Sequence, residues 1–402
     1  MSTLDASRGP DHAPAEHPSA VARWASQRLV YVDNLKVVLI AAIIAGHAIA
    51  SYTSMELRSY ADVREVTLSS VTEAVLLAAV MPFAIFMIPL LFLIAGLFTP
   101  PSLERKGTGV YVRDRLLRLG VPFAVFSLLV WPALLYALYR PLGNAPGSYL
   151  VELVGTSEEA LDTGYLWFVG DLLLFSLAYA AWVRLRHRRP RRDRQVDIGA
   201  RHLVVLAAAV GVATFLVRLV FPFASERYVD LNWYQWPECV ALFTVGIMAA
   251  RSGWLTAIPE RLLRHSRTAT LVAAGGFAVF VAWGAVSGGL AGDTWMGGWR
   301  VEALLFAALE AALAVFGPVW LLGVAQRRLD RPLRWAGPVV GRSAYGAFIV
   351  QGLVLIGLAV ALRPLPLTAE VKALVVAAGG VIGSFALAWL LITRVPGTAR
   401  VL

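Results

Sequence analysis

The sequence has one cysteine, Cys239, which excludes an intrachain disulfide and any cysteine-based metal cluster. It is also short of charge. Asp, Glu, Lys and Arg make up 15% of the 402 residues, against about a quarter in a soluble domain. The six histidines show no ligand spacing, so no metal is expected. Long strand-like alternation is missing too, which argues against a membrane β-barrel. What remains is apolar: 58% of the residues are hydrophobic, and the mean hydropathy is +0.67. Such a chain is neither a water-soluble domain nor an intrinsically disordered one. Lys and Arg outnumber Asp and Glu by 36 to 26, a net charge of +10. In an apolar chain that excess points to loops that fix membrane orientation, and no nucleic-acid partner is expected.

A helix that crosses a bilayer needs about 20 mostly apolar residues. Ten stretches qualify: 32–52, 75–98, 121–139, 165–183, 202–221, 237–251, 269–288, 302–324, 343–362 and 371–393, the sixth being short. With the N-terminus assigned inside, 28 of the 36 basic residues fall in inner segments and 8 in outer ones. Every inner loop outscores every outer loop, as short cytoplasmic loops should. The expected fold is an all-α membrane protein, a polytopic bundle of about ten transmembrane helices with both termini cytoplasmic. Residues 1–29 read as a disordered cytoplasmic tail, 30–394 as the transmembrane domain and 395–402 as a short cytoplasmic tail. The run Arg184–Arg194 either anchors the topology or meets anionic lipid head groups. Gly379 and Gly380 suit close helix packing.

An ionisable side chain inside a span is costly unless paired or solvated, so each one is a candidate site. The first span holds the densest set, in YVDNLKVVLIAAIIAGHA: Asp33, Lys36 and His47. Lys36 and His47, eleven residues apart, share one helix face about 16 Å apart along the axis. Asp33 and Lys36 are placed to pair with each other. Histidine suits proton transfer near neutrality, and His47 could deprotonate an attacking alcohol; packing against a neighbouring span is the structural alternative. Arg115 and Arg118 follow the second span at i and i+3, and could grip phosphates or merely mark an inner membrane end. Asp171, Arg218, Glu238, Glu302 and Glu310 are scattered further along and suit intramembrane ion pairs, while Trp167 suits an interfacial belt.

Together these segments resemble the acyltransferase-3 family of bacterial inner-membrane acyltransferases, most closely the subgroup containing glucan-biosynthesis protein C. The likeness rests on YVDNLKVVLIAAIIAGHA, PLLFLIAGLF, RDRLLRLGVPF, YLWFVGDLLLF, WPECVALFTVGIMAARSGWL and GRSAYGAFIVQGLVL, in that order. It implies an enzyme of the bacterial cytoplasmic membrane that takes an acyl group, acetyl, succinyl or similar, from cytoplasmic acyl-coenzyme A. The acceptor would be a hydroxyl of a glycan or lipid-linked molecule of the cell envelope. His47 would be the catalytic base, or a transient acyl carrier, with Asp33 in the catalytic set. Lys36, Arg115 and Arg118 would hold the phosphates of the donor. Trp167, Glu238, Tyr345 and Gln351 would lie at or just behind the substrate. Relatives commonly carry histidine where this chain has Gln351, which forms hydrogen bonds but cannot titrate. The alternative is a transporter or exporter of a lipid-linked or polar solute, although the internal repeats usual in transporters are not evident.

Overall fold

The structure is a computed structural model that describes residues 29–54, 64–139, 159–186, 198–225, 228–229, 231–254, 257–287, 293–331 and 338–401. The N-terminal tail to residue 28 and the basic run from residue 187 lie outside them. The chain folds as an all-α bundle. In lipid every backbone N–H and C=O must be satisfied internally, which uniformly apolar segments achieve as helices.

The helices, in chain order, are α1 (Val30–Ala50), α2 (Ser70–Ala79), α3 (Met81–Lys106), α4 (Thr108–Leu138), α5 (Gly164–Leu185) and α6 (Ala200–Val217). Then come α7 (Trp236–Ser252), α8 (Glu260–Ser287), α9 (Val301–Arg328), α10 (Pro338–Leu362), α11 (Ala369–Arg394) and the short α12 (Thr398–Val401). Two short strands, β1 (Glu159–Leu161) and β2 (Tyr228–Val229), pair in parallel. Among the described residues, nine helices are long and apolar enough to cross a membrane. The tenth expected span is α7, whose 17 residues reach about 26 Å against a hydrocarbon core of about 30 Å.

Several boundaries differ from the sequence expectation. The stretch 75–98 divides at Val80 into the short helix α2 and the span α3, because Pro82 has no N–H to continue a ladder and starts a new helix. Helix α3 then runs on through Pro100 and Pro101 to Lys106. The span expected at 121–139 begins at Thr108, so Arg115 and Arg118 lie on the spanning helix itself. The span expected to end at 221 stops at Val217.

Helices α1, α3, α9 and α10 form the interior, while α4, α6, α8 and α11 turn more of their surface outward. The most extensive pairing is α3 with α7, followed by α10 with α11. The α3–α7 crossing depends on two glycines. A Cβ on Gly96 would run into the Phe243 carbonyl, and one on Gly246 into the Leu93 carbonyl. The backbones therefore touch, as small residues allow in membranes. Gly379 and Gly380 face Leu358 and Leu355 of α10, the packing role their sequence suggested. At the start of α1, Asn34 Nδ2 donates to the carbonyls of Leu329 (2.7 Å) and Arg331 (2.9 Å), tying α1 to the end of α9.

Candidate active site

His47 lies in the last turn of α1 and is partly buried. Its Nδ1 is 3.0 Å from Oε1 of the fully buried Gln351 on α10. The other end of that amide is fixed, because Gln351 Nε2 donates to the Phe348 carbonyl at 3.1 Å. An amide oxygen only accepts, so in the neutral imidazole Nδ1 carries the hydrogen and Nε2 carries the lone pair. Gln351 thus selects the tautomer in which Nε2 is the basic nitrogen.

The turn of α10 that holds Gln351 is pinned by Tyr165. The Tyr165 hydroxyl donates to the Ile349 carbonyl (2.6 Å) and accepts from the Gly352 N–H (3.1 Å). Glycine is needed at 352 because a Cβ there would overlap the Tyr165 ring. Tyr165 is held in turn at the entry to α5. Asp162 accepts from Trp131 Nε1 (2.8 Å) and from the Gly164 N–H (2.7 Å), and the Trp131 and Tyr165 rings meet edge to face.

His47 opens onto a cavity of about 290 Å³. Trp131, Tyr165, Trp167, Asn232, Tyr234 and Glu310 are among its walls. Trp167, expected at or just behind the substrate, is one of these walls. Glu310 is 2% exposed and is held 2.6 Å from Nη2 of Arg218, itself 1% exposed. The Arg218 guanidinium lies 5.0 Å from the Phe223 ring centroid and 5.2 Å from that of Phe306. Glu238 is buried and interacts electrostatically with both Arg218 and Glu310. It lines neither this cavity nor the next, so the structure places it behind the wall.

A second cavity, of about 640 Å³, lies towards the opposite end of the bundle. It gathers Lys36, Arg115 and Arg118 from two helices, and adds Arg342 and Tyr345 from α10. Arg118 lies in a π-helical turn, Leu116–Gly120, just before Pro122. Proline has no N–H, so the Arg118 carbonyl lacks its usual α-helical donor. The Tyr345 hydroxyl supplies one at 2.6 Å. Tyr345 is thus a positioning residue for Arg118. Residues Ala399 and Val401 of α12 also line this cavity, so the C-terminal tail folds back onto it. Asp33 pairs with Lys36 at 3.8 Å and lines neither cavity. Fourteen residues separate it from His47, about 21 Å along the helix. The structure does not bring Asp33 to the histidine.

The two cavities share two wall residues, Phe168 of α5 and Phe348 of α10. On one side is a cluster of cations suited to phosphates, and on the other an oriented histidine. The sequence pattern of the acyltransferase-3 family, described as an acyltransferase domain, matches residues 29–393, the whole bundle from the start of α1 almost to the end of α11. The chain belongs to the acyltransferase-3 family. It is a multi-pass membrane acyltransferase, one that transfers groups other than aminoacyl groups. Membership decides between the enzyme and transporter expectations. Neither a curated protein nor a solved structure matches the chain.

Sequence reasoning passed over Tyr165, Arg342, Phe168 and Phe348 as site residues in this acyltransferase. An aromatic in an apolar span reads as core, and Arg342 reads as one more basic residue at an inner end. All four fall within motifs that carried the resemblance, but nothing in those motifs singles them out.

Proposed function

We propose that this acyltransferase takes an acyl group, acetyl, succinyl or similar, from acyl-coenzyme A at the end of the bundle bearing Lys36, Arg115, Arg118 and Arg342. It passes the acyl group to a hydroxyl of a glycan or lipid-linked envelope molecule in the His47 cavity. The observation that carries this reading is the pair of cavities with shared walls, one cationic and one holding an oriented base. The basic-loop count puts the cationic cavity on the cytoplasmic side, where acyl-coenzyme A is made, and a bacterial inner membrane suits both substrates. The likeness to the glucan-biosynthesis protein C subgroup favours a succinyl donor and a glucan acceptor.

In this mechanism His47 Nε2 takes the proton of the acceptor hydroxyl as its oxygen attacks the thioester carbonyl. The tetrahedral intermediate collapses to the ester and expels the coenzyme A thiolate. That thiolate leaves as the thiol, with the proton returned from the imidazolium. General-base help of this kind gives about 10²–10⁴-fold. Gln351 cannot titrate, and none of these steps asks it to. It orients the base, which explains how glutamine serves where relatives carry histidine. Trp167 offers a flat apolar face to the acceptor. Glu310, paired with Arg218, offers it a carboxylate.

The test is donor kinetics. Replacing Arg115 and Arg118 together with Gln removes two charge-assisted contacts to phosphate. The KM for acyl-coenzyme A should rise at least about 10-fold, with a smaller change in kcat. An unchanged KM would place the donor elsewhere.

A further inference from the structure

The cationic cavity and the histidine cavity lie on opposite sides of one pair of rings. Lys36 and His47 are about 16 Å apart along α1, so a donor held by its phosphates at the first must send its acyl group past the middle of the bundle to the second. Phe168 and Phe348 line both cavities. Their rings meet edge to face, with centroids 5.8 Å apart. Each ring has a further aromatic neighbour. Phe168 also packs against Phe92 at 5.0 Å and Phe348 against Tyr165 at 6.0 Å. Phe348 is further fixed through its backbone, since its carbonyl receives the Gln351 amide that orients His47. The partition and the orientation of the base therefore belong to a single turn of α10.

We propose that Phe168 and Phe348 are the specificity-determining pair of this enzyme, and that the gap beside their rings sets the length of acyl group that reaches His47. The inference rests on acyl-coenzyme A as donor. A short acyl group passes two crossed rings with little displacement. Each further methylene must displace ring surface that Phe92 and Tyr165 hold in place. Discrimination of about 10-fold or more per misfitting methylene is within reach of such a wall.

The experiment uses the full-length enzyme in membranes, supplied in turn with acetyl-, succinyl-, butyryl-, hexanoyl- and octanoyl-coenzyme A, with release of the coenzyme A thiol as the readout. The unmodified enzyme should favour the short donors. Phe348→Ala should raise the octanoyl-to-acetyl ratio of kcat/KM by about 10-fold or more, and Phe168→Ala should act in the same direction. Phe348→Leu, a milder change, covers the case in which the alanine variants fail to fold, and should shift the ratio the same way by a smaller factor. Phe348→Trp should lower it. A chain-length profile that stays the same in an active, monodisperse Phe348→Leu or Phe348→Trp enzyme overturns the partition while leaving the donor reading intact. No thiol release from any of the five donors by the unmodified enzyme would overturn both.

Discussion

At the scale of single residues, the proposed chemistry depends on how His47 is held. Its Nδ1 faces an oxygen that only accepts, and that oxygen is fixed because the rest of the amide is bonded to the Phe348 carbonyl. Gln351→Leu keeps the volume and removes the acceptor, which frees the imidazole to take either tautomer. The expected outcome is a fall in kcat of about 10–100-fold, with the KM for acyl-coenzyme A unchanged. Steady-state kinetics on matched amounts of folded enzyme would check it; an unchanged kcat would mean that the tautomer is set by something else. His47 and Lys36 were legible in the sequence because a polar residue in a long apolar run has few bland explanations. Asp33 was equally conspicuous, but its partner is Lys36, and the helix rise carries it far from the base. Tyr165, Phe168 and Phe348 were not legible. Their roles come from contacts between helices distant in sequence, and an aromatic in a span gives no sign of whether it faces core, lipid or cavity.

At the scale of elements, the apolar runs located the spans well, and their ends less well. Hydropathy cannot see that Arg115 and Arg118 continue a helix into the bilayer, nor that Pro82 restarts one. It does not reveal which helices touch either. The α3–α7 crossing is set by Gly96 and Gly246, ordinary glycines in the sequence, whose missing side chains let two backbones meet. Gly246→Leu should force these helices apart, at a cost of about 1–3 kcal/mol or more. A lowered melting temperature in detergent is the expected reading. Gly275→Ala in α8 is the control: a Cβ there meets nothing within 4 Å, and alanine favours the helix. Equal melting temperatures for the two variants would contradict the close crossing.

At the scale of the whole molecule, the bundle works as a divider. Its cationic end, the crossed rings and the histidine cavity lie in series, and a low average charge conceals how unevenly the charges are placed. By sequence, 28 of the 36 basic residues fall in the segments expected on the inner side. Among the described residues, Lys36, Arg115, Arg118 and Arg342 line the cationic cavity, Arg218 pairs with Glu310 at the far wall, and the buried Lys372 pairs with Glu65. Under the proposed function, this arrangement makes transfer directional. The most direct test uses sealed membrane vesicles given radiolabelled acetyl-coenzyme A, which does not cross the bilayer, on the outside. In inside-out vesicles the donor meets the cytoplasmic face. The expected result is label on envelope material for the unmodified enzyme, none for right-side-out vesicles, and a loss of at least about 100-fold for His47→Ala at equal protein level. Undiminished labelling by His47→Ala, or labelling confined to right-side-out vesicles, would contradict the account.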